Sequence, residues 1–257
     1  MPRITLRVSL TVFALALLLA PAARAQSPQQ FAADATRYMA LGDSIAAGYK
    51  AMPVTEGYAY RLYLEGAFDR LPHTLFNNIG VTGATSQDVL LHQVPQAVIP
   101  AALGGFAPGY ITLSVGGNDL VRILAFAQSG ADPGQVEAYA GQVLGEFAQN
   151  LAAILGGLRA GLPSAKIFVA NQYSLPEIEA LLPLATDLIA ALNAIVMQAV
   201  DAAGPGVYLV DIYSAFLGRT NLIQSDRPRA SIGEVHPTNA GHRVIAKAFE
   251  EVIRLQQ

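Results

Sequence analysis

The sequence predicts a single α/β domain built on a parallel sheet with helices on both faces. Three observations predict it. From Arg37 to the C-terminus, short strand-like runs alternate with helical segments, and that alternation calls for a parallel sheet covered on both faces. The body is rich in Ala, Leu and Val, and runs such as Tyr38-Met39-Ala40-Leu41 are wholly apolar or aromatic, as befits a buried sheet. No internal repeat, linker or second composition interrupts the chain. A body of about 230 residues suits one domain.

The elements can be taken in chain order. Arg37 to Leu41 reads as the first strand. Gly57 to Leu71 reads as a helix, with Tyr58, Leu62, Leu64 and Phe68 among its apolar positions. Thr74 to Val81 is the second strand. Ser86-Gln87-Asp88 opens a helical segment through Leu91, and Pro95 and Pro100 interrupt the stretch beyond it, because proline supplies no N–H to a helix. Tyr110 to Val115 is the third strand, aromatic and β-branched and bounded by glycine. Gln128 to Gly134 is turn-rich. Gln135 to Ala160 is a long helix with Val143, Phe147, Leu151, Ile154 and Leu158 on one stripe. Lys166 to Ala170 is the fourth strand. Ile178 to Ala202 is a very apolar helix, yet Glu179, Pro183, Asp187 and Asn193 make it a helix packed on the sheet and not a membrane span. Gly206 to Asp211 is the fifth strand. Pro237 to Leu255 is the last helix, with Pro237 suited to its first turn.

Residues 1–25 are expected to lie outside this fold. Arg3 and Arg7 give a positive start, Val8 to Ala20 is apolar, and Ala23-Arg24-Ala25 is a small-x-small cleavage site. That is the pattern of a secretory signal peptide. The apolar run is shorter than the about 20 residues a bilayer span needs. Cleavage is expected after Ala25, so the domain spans residues 26–257 and Gln26 becomes the first residue. The expected location is secreted or periplasmic, with no stable membrane span after cleavage.

There is no cysteine. The chain therefore has no thiol nucleophile, thiolate metal site or disulfide, and an exported protein must rest on its core. Net charge is −3 and only 14% of residues are charged. No basic run or basic-aromatic pattern points to nucleic acid.

Gly42-Asp43-Ser44 ends the first strand and presents a hydroxyl at its carboxyl end. Parallel strands all end on one edge, where ligands bind in open α/β sheets. Gly83 comes after the second strand, Asn118 in Gly116-Gly117-Asn118-Asp119 after the third, and His236 after the fifth. The topology thus gathers four distant residues at one rim. A serine hydroxyl needs a base to attack an ester, and an imidazole is suited to that task. The tetrahedral oxyanion needs donors fixed in advance. The backbone N–H groups of Ser44 and Gly83 and the Asn118 amide can supply them.

Each motif also has a plainer reading. Gly-Asp-Ser occurs in ordinary turns, with Asp43 holding the turn through the backbone. Asn118 can be a helix cap. Gly83 can be only a turn glycine, and His236 a solvated loop residue. Asp211 reads as a cap. His242 lies too far along from His236 to share a ligand, and His73 and His92 have no neighbouring carboxylate cluster. Gly80-Val81-Thr82-Gly83 lacks the lysine of a phosphate-binding loop. Neither a metal nor a cofactor is expected.

Taken in order, Gly42-Asp43-Ser44-Ile45, Asn78 to Ser86 with Gly83, Gly116-Gly117-Asn118-Asp119 and His236-Pro237 resemble the GDSL or SGNH hydrolases. The resemblance covers nearly all of the chain after the leader. It implies Ser44 as nucleophile, His236 as base, and Gly83 and Asn118 in the oxyanion hole. It also implies a flavodoxin-like three-layer α/β/α sandwich with a five-stranded parallel sheet, which agrees with the alternation of strands and helices. Ile45 stands where the family has leucine. Gly233 stands where the family has aspartate three residues before its histidine. The expected orienter of His236 is a backbone carbonyl, with Glu234 and Asp226 as alternatives. The expected partner is a small-molecule or lipid ester, of short or medium acyl length. A carbohydrate O-deacetylase and an inactive binding module remain open. The apolar segments Ala97 to Phe106 and Leu120 to Phe126 are candidates for an acyl pocket.

Overall fold

The computed structural model describes residues 35–69, 73–173, 184–224 and 235–257. The predicted leader lies outside them. Five strands, β1 (Thr36–Gly42), β2 (Thr74–Asn78), β3 (Tyr110–Ser114), β4 (Lys166–Ala170) and β5 (Val207–Val210), form one parallel sheet in the order β2-β1-β3-β4-β5. This is the flavodoxin-like order, which reverses direction between β1 and β3. The expected sheet is the observed one.

Side-chain alternation divides the sheet between two cores. Met39, Leu41, Ile111, Leu113, Ile167 and Val169 point into one. Tyr38, Ala40, Phe168 and Ala170 point into the other. The first core is closed by α4 (Val94–Ala102), α5 (Gly117–Gln128), α6 (Pro133–Gly161) and α7 (Leu184–Ala203). The second is closed by α1 (Ser44–Ala47), α2 (Tyr58–Leu64), α8 (Ile212–Phe216) and α9 (Asn239–Arg254). Together with the sheet these make the three layers. A short α3 (Ser86–Asp88) runs through a π turn at Val89–Gln93 into α4.

The largest helix shows why the elements form. Asp132 caps α6 by accepting the Gln135 N–H at 3.0 Å, while the Gln135 side chain accepts the Asp132 N–H at 3.2 Å. Pro133 occupies the first turn, where its missing N–H costs nothing. Val143, Phe147, Leu151, Ile154 and Leu158 are all fully buried, each worth about 1.5–3 kcal/mol of burial. Helix α7 is long and apolar enough to cross a bilayer by length and composition. Its Leu188, Leu192 and Val196 are packed into the first core, as its polar residues led the sequence reading to expect.

Several expectations are corrected. The first long helix stops at Leu64, well short of Leu71. Gly66, at φ 73°, ends it: its N–H reaches Tyr63 O and the Ala67 N–H reaches Leu62 O, the paired C-terminal bonds of a Schellman turn. β2 ends at Asn78 and not at Val81. There the Asn78 side chain accepts the Gly80 N–H and donates to Ala46 O, tying the end of the strand to α1. Pro237 precedes α9 and is not in its first turn. Thr238 is the cap, and Pro237 instead bridges to Ile223. Helices α5 and α8 were expected only through their candidate caps, Asn118 and Asp211. Asp211 does cap α8, accepting the Ser214 N–H.

His242 on α9 is fully buried. Its Nδ1 accepts the Tyr58 N–H at 3.4 Å. Burial lowers its pKa from 6.5 to about 4, opposed by the Tyr49 backbone and reinforced by electrostatic interaction with His236 and Arg61. The unfolded chain therefore takes up a proton near pH 6.5 that the folded protein refuses. Stability from this residue is full above that pH and is lost as pH falls towards 4. At about 1.4 kcal/mol per unit the loss is about 3 kcal/mol. Urea unfolding of the wild type and His242→Leu across this range should show the wild type losing more stability on acidification, by about 2–3 kcal/mol. Equal losses would contradict a neutral buried imidazole.

Candidate active site

The site begins at Gly42, the last residue of β1. It has φ 131°, and a Cβ there would lie 1.9 Å from Ser114 O on β3. Only glycine fits. The Asp43 N–H then reaches the same Ser114 O at 3.0 Å. Asp43 caps α1 through its carboxylate, which accepts the Ile45 N–H at 2.9 Å. That fixes Ser44 as the first residue of α1, at the carboxyl edge of the sheet. Ser44 is 6% exposed.

His236 meets Ser44 across this edge, with Nε2 2.8 Å from Oγ. The histidine is held from several sides. The Gln224 N–H donates to His236 O at 2.9 Å, and the Thr238 N–H donates to Leu222 O at 2.8 Å. Tyr173, just past β4, donates its hydroxyl to Val235 O at 2.6 Å. The Tyr49 ring packs edge-on to the imidazole at 4.7 Å. Asp226, Gly233 and Glu234, the positions weighed as orienters of His236, lie outside the described residues.

Asn118 is the second residue of α5. Its amide donates to Ala84 O at 2.9 Å, using one of two N–H groups. It does not cap its own helix; Gly116 holds that position. Gly83 sits at φ 86° in an exposed turn closed by the Ala84 N–H on Val81 O at 3.1 Å. No atom lies within 4 Å of where its Cβ would be, so its conformation and not crowding calls for glycine. Asp119 ties the two segments together. Its buried carboxylate accepts from Ser86 N at 3.0 Å and Ser86 Oγ at 2.7 Å, and Asn150 donates to the same Oγ at 3.0 Å.

A pocket of about 70 Å³ opens beside Ser44, Asn118 and His236. Its wall is apolar: Ile45, Leu120, Val121, Leu124, Tyr173 and Val235. Gln172 and Asp43 add polar groups. Of the two apolar segments proposed from sequence, Leu120 to Phe126 supplies part of this wall. Ala97 to Phe106 is absent from its described lining, and Ala97 is buried in the first core instead. Gln172 and Tyr173 were missed, although their place just beyond β4 put them on the ligand edge.

The model of the GDSL-like lipase/acylhydrolase family matches residues 40–244. The chain belongs to that family. Solved structures share this GDSL fold. A lipase from a goat rumen metagenome is 20% identical, with 84% of this chain and 96% of that one covered and a TM-score of 0.65. Phospholipase A1 from Streptomyces albidoflavus is 19% identical, with coverage of 84% and 99% and a TM-score of 0.63. An acetyl-xylooligosaccharide esterase from Geobacillus is 21% identical, with coverage of 86% and 95% and a TM-score of 0.60. No curated protein sequence matches the chain. At family level the GDSL chain is an ester hydrolase.

The carboxyl of Asp43 is 2% exposed. Burial raises its pKa from 3.8 to about 7; the Asp119 charge adds to the rise and the Ile45 N–H opposes it. The folded state thus keeps a proton that the unfolded chain gives up. Stability from this group is full below pH 3.8 and is lost as pH rises to about 7. Asp43→Asn keeps an acceptor for the Ile45 N–H and removes the ionisation. The variant should gain on the wild type by about 4 kcal/mol between these limits and plateau above them. Denaturant titrations of both proteins at a series of pH values check this. A constant difference would show that Asp43 is ionised at little cost.

Proposed function

We propose that this GDSL hydrolase is an exported serine esterase that cleaves carboxylic esters through an acyl-enzyme. The observation that carries the reading is the 2.8 Å bond between Ser44 Oγ and His236 Nε2 beside an apolar pocket. Ser44 Oγ attacks the ester carbonyl carbon while its proton passes to His236 Nε2. The oxyanion accepts hydrogen bonds from the Ser44 and Gly83 N–H groups and from the free N–H of the Asn118 amide. The ester C–O bond then breaks, and the alcohol leaves with the proton from His236. Water repeats the sequence, giving up a proton to His236 and releasing the carboxylic acid and Ser44.

The cavity is small, about 70 Å³, about half the volume of one that takes a benzene ring. It favours short acyl groups, walled by Leu120, Val121 and Leu124. An acetyl group on a carbohydrate alcohol fits the same space, so an O-deacetylase is the second reading. Hydrolysis of p-nitrophenyl esters of graded length should peak at the shortest chains. Acetylated oligosaccharides as competing substrates then separate the two alcohols.

Two predictions test the reading. Ser44→Ala should abolish hydrolysis in a folded protein, and a serine-directed phosphonate should label Ser44 alone. Asn118→Ala should lower kcat by about 10²–10³-fold, with KM changed less, because the full oxyanion exists only near the transition state. Near-wild-type turnover by folded Ser44→Ala, or an effect of Asn118→Ala confined to KM, would sink these roles.

Export rests on the leader alone, with its Arg3 and Arg7 start and the Ala23-Arg24-Ala25 site. The native protein should be recovered outside the cytoplasm beginning at Gln26. N-terminal sequencing that finds Met1 or Pro2 in that fraction would favour a tethered protein.

A further inference from the structure

Beyond Asn78, the chain leaving β2 still runs along the edge of β1. The Ile79 N–H donates to Ala40 O at 2.9 Å, and the Val81 N–H donates to Gly42 O at 3.0 Å. The Gly42 N–H finds its acceptor elsewhere. It donates to Gln93 Oε1 at 2.7 Å, and Gln93 Nε2 donates back to Gly42 O at 2.8 Å. One carboxamide thus grips both polar groups of the residue two before Ser44. Gln93 is 1% exposed, so both bonds are shielded from water and neither group has solvent as a substitute.

The local sequence delivers this side chain. Gln93 ends the π turn of Val89–Gln93, where the Val94 N–H reaches back to Val89 O. Pro95 comes two residues later and supplies no N–H. A π turn inserts an extra residue and re-aims its side chains. Here it turns a polar side chain inward at the point where the sheet edge lacks an acceptor.

We propose that Gln93 is a positioning residue for the Ser44 nucleophile, acting through the two peptide groups that flank the Gly42 Cα. The second of these, between Gly42 and Asp43, sets where β1 hands the chain to α1, and hence where Ser44 Oγ stands against His236. The Gly42 carbonyl is also shared with Val81, which begins the Gly83 turn. The clamp therefore registers the nucleophile and one oxyanion donor against each other. The inference rests on the catalytic roles proposed for Ser44 and Gly83.

The test uses two variants of the full mature protein, each checked by circular dichroism for full folding at every pH used. Gln93→Leu removes both bonds. It should lower kcat by about 10- to 100-fold, the scale of loss from a small misplacement, with KM within about twofold and phosphonate labelling of Ser44 slowed in parallel. Gln93→Glu is nearly isosteric and carries the test if the leucine variant fails to fold. Its carboxylate cannot donate to Gly42 O, whereas its protonated acid both donates and accepts, as the amide does. Every other titratable group is common to the two proteins, so the ratio of the variant's kcat to the wild type's isolates position 93. That ratio should rise by about tenfold from about pH 8 to about pH 5, because burial raises a carboxyl pKa into this range. A flat ratio in folded Gln93→Glu, or a folded Gln93→Leu with kcat within about twofold of wild type, overturns the proposal. A wild type that neither hydrolyses esters nor labels at Ser44 would instead overturn the catalytic reading itself.

Discussion

The structure turns on the contact between β1 and β3 at Gly42. The backbone of Ser114 occupies the space a side chain would need there, 1.9 Å from an ideal Cβ. Because the residue is glycine, the two strands close up and the chain leaves β1 at a positive φ that a side chain would resist. The next N–H is captured by the same Ser114 carbonyl. The turn into α1 is thereby fixed by main-chain geometry, and the Ser44 hydroxyl inherits that rigidity. The serine end of the site is a consequence of sheet packing.

Beneath this turn lies an uncommon amount of buried polarity. Asp43, Gln93, Asp119, Asn171 and Gln172 are all at most 8% exposed. Each is bonded to backbone: Asp43 to Ile45, Gln93 to Gly42, Asp119 to Ser86, Asn171 to Ile212, Gln172 to Val115. Such bonds gain little net free energy and cost much when broken. Their effect is to give each loop at the rim one geometry. Two buried groups face opposite penalties. Burial resists ionisation of Asp43 and also resists protonation of His242. The pH terms they contribute have opposite sign between about pH 4 and about pH 6.5, so wild-type stability is flatter with pH than either residue alone would make it.

Much of this was legible in the sequence. Apolar alternation and the five strand-like runs determined the sheet because period and burial act locally. Ser44, Asn118 and His236 were expected at one rim because parallel topology sends every strand end to one edge, and they line one pocket there. The boundaries were less legible. Gly66 ended a helix whose apolar spacing continued to Phe68, and the last helix, capped by Thr238, begins two residues later than Pro237 suggested. Helix α5 was hidden behind two glycines. Gln93 and Tyr173 carried no local signal, since their partners are a peptide 51 residues earlier and a carbonyl 62 residues later. Such roles exist only after the sheet has formed.

The two halves of the proposed dyad are held in different ways. Ser44 is fixed from below, by β1, Gly42 and the cap at Asp43. His236 reaches the edge on a segment that belongs to no strand, and it is brought to β4 by the Tyr173 hydroxyl and to the preceding turn by Gln224 and Thr238. Tyr173 is itself anchored by its stack on Phe216, at 4.6 Å, deep in the second core. The distance between Oγ and Nε2 is therefore set by the separation of the β1 and β4 ends across β3. Three parallel strands act as the ruler for the site, with Gly42 and Tyr173 at its two ends.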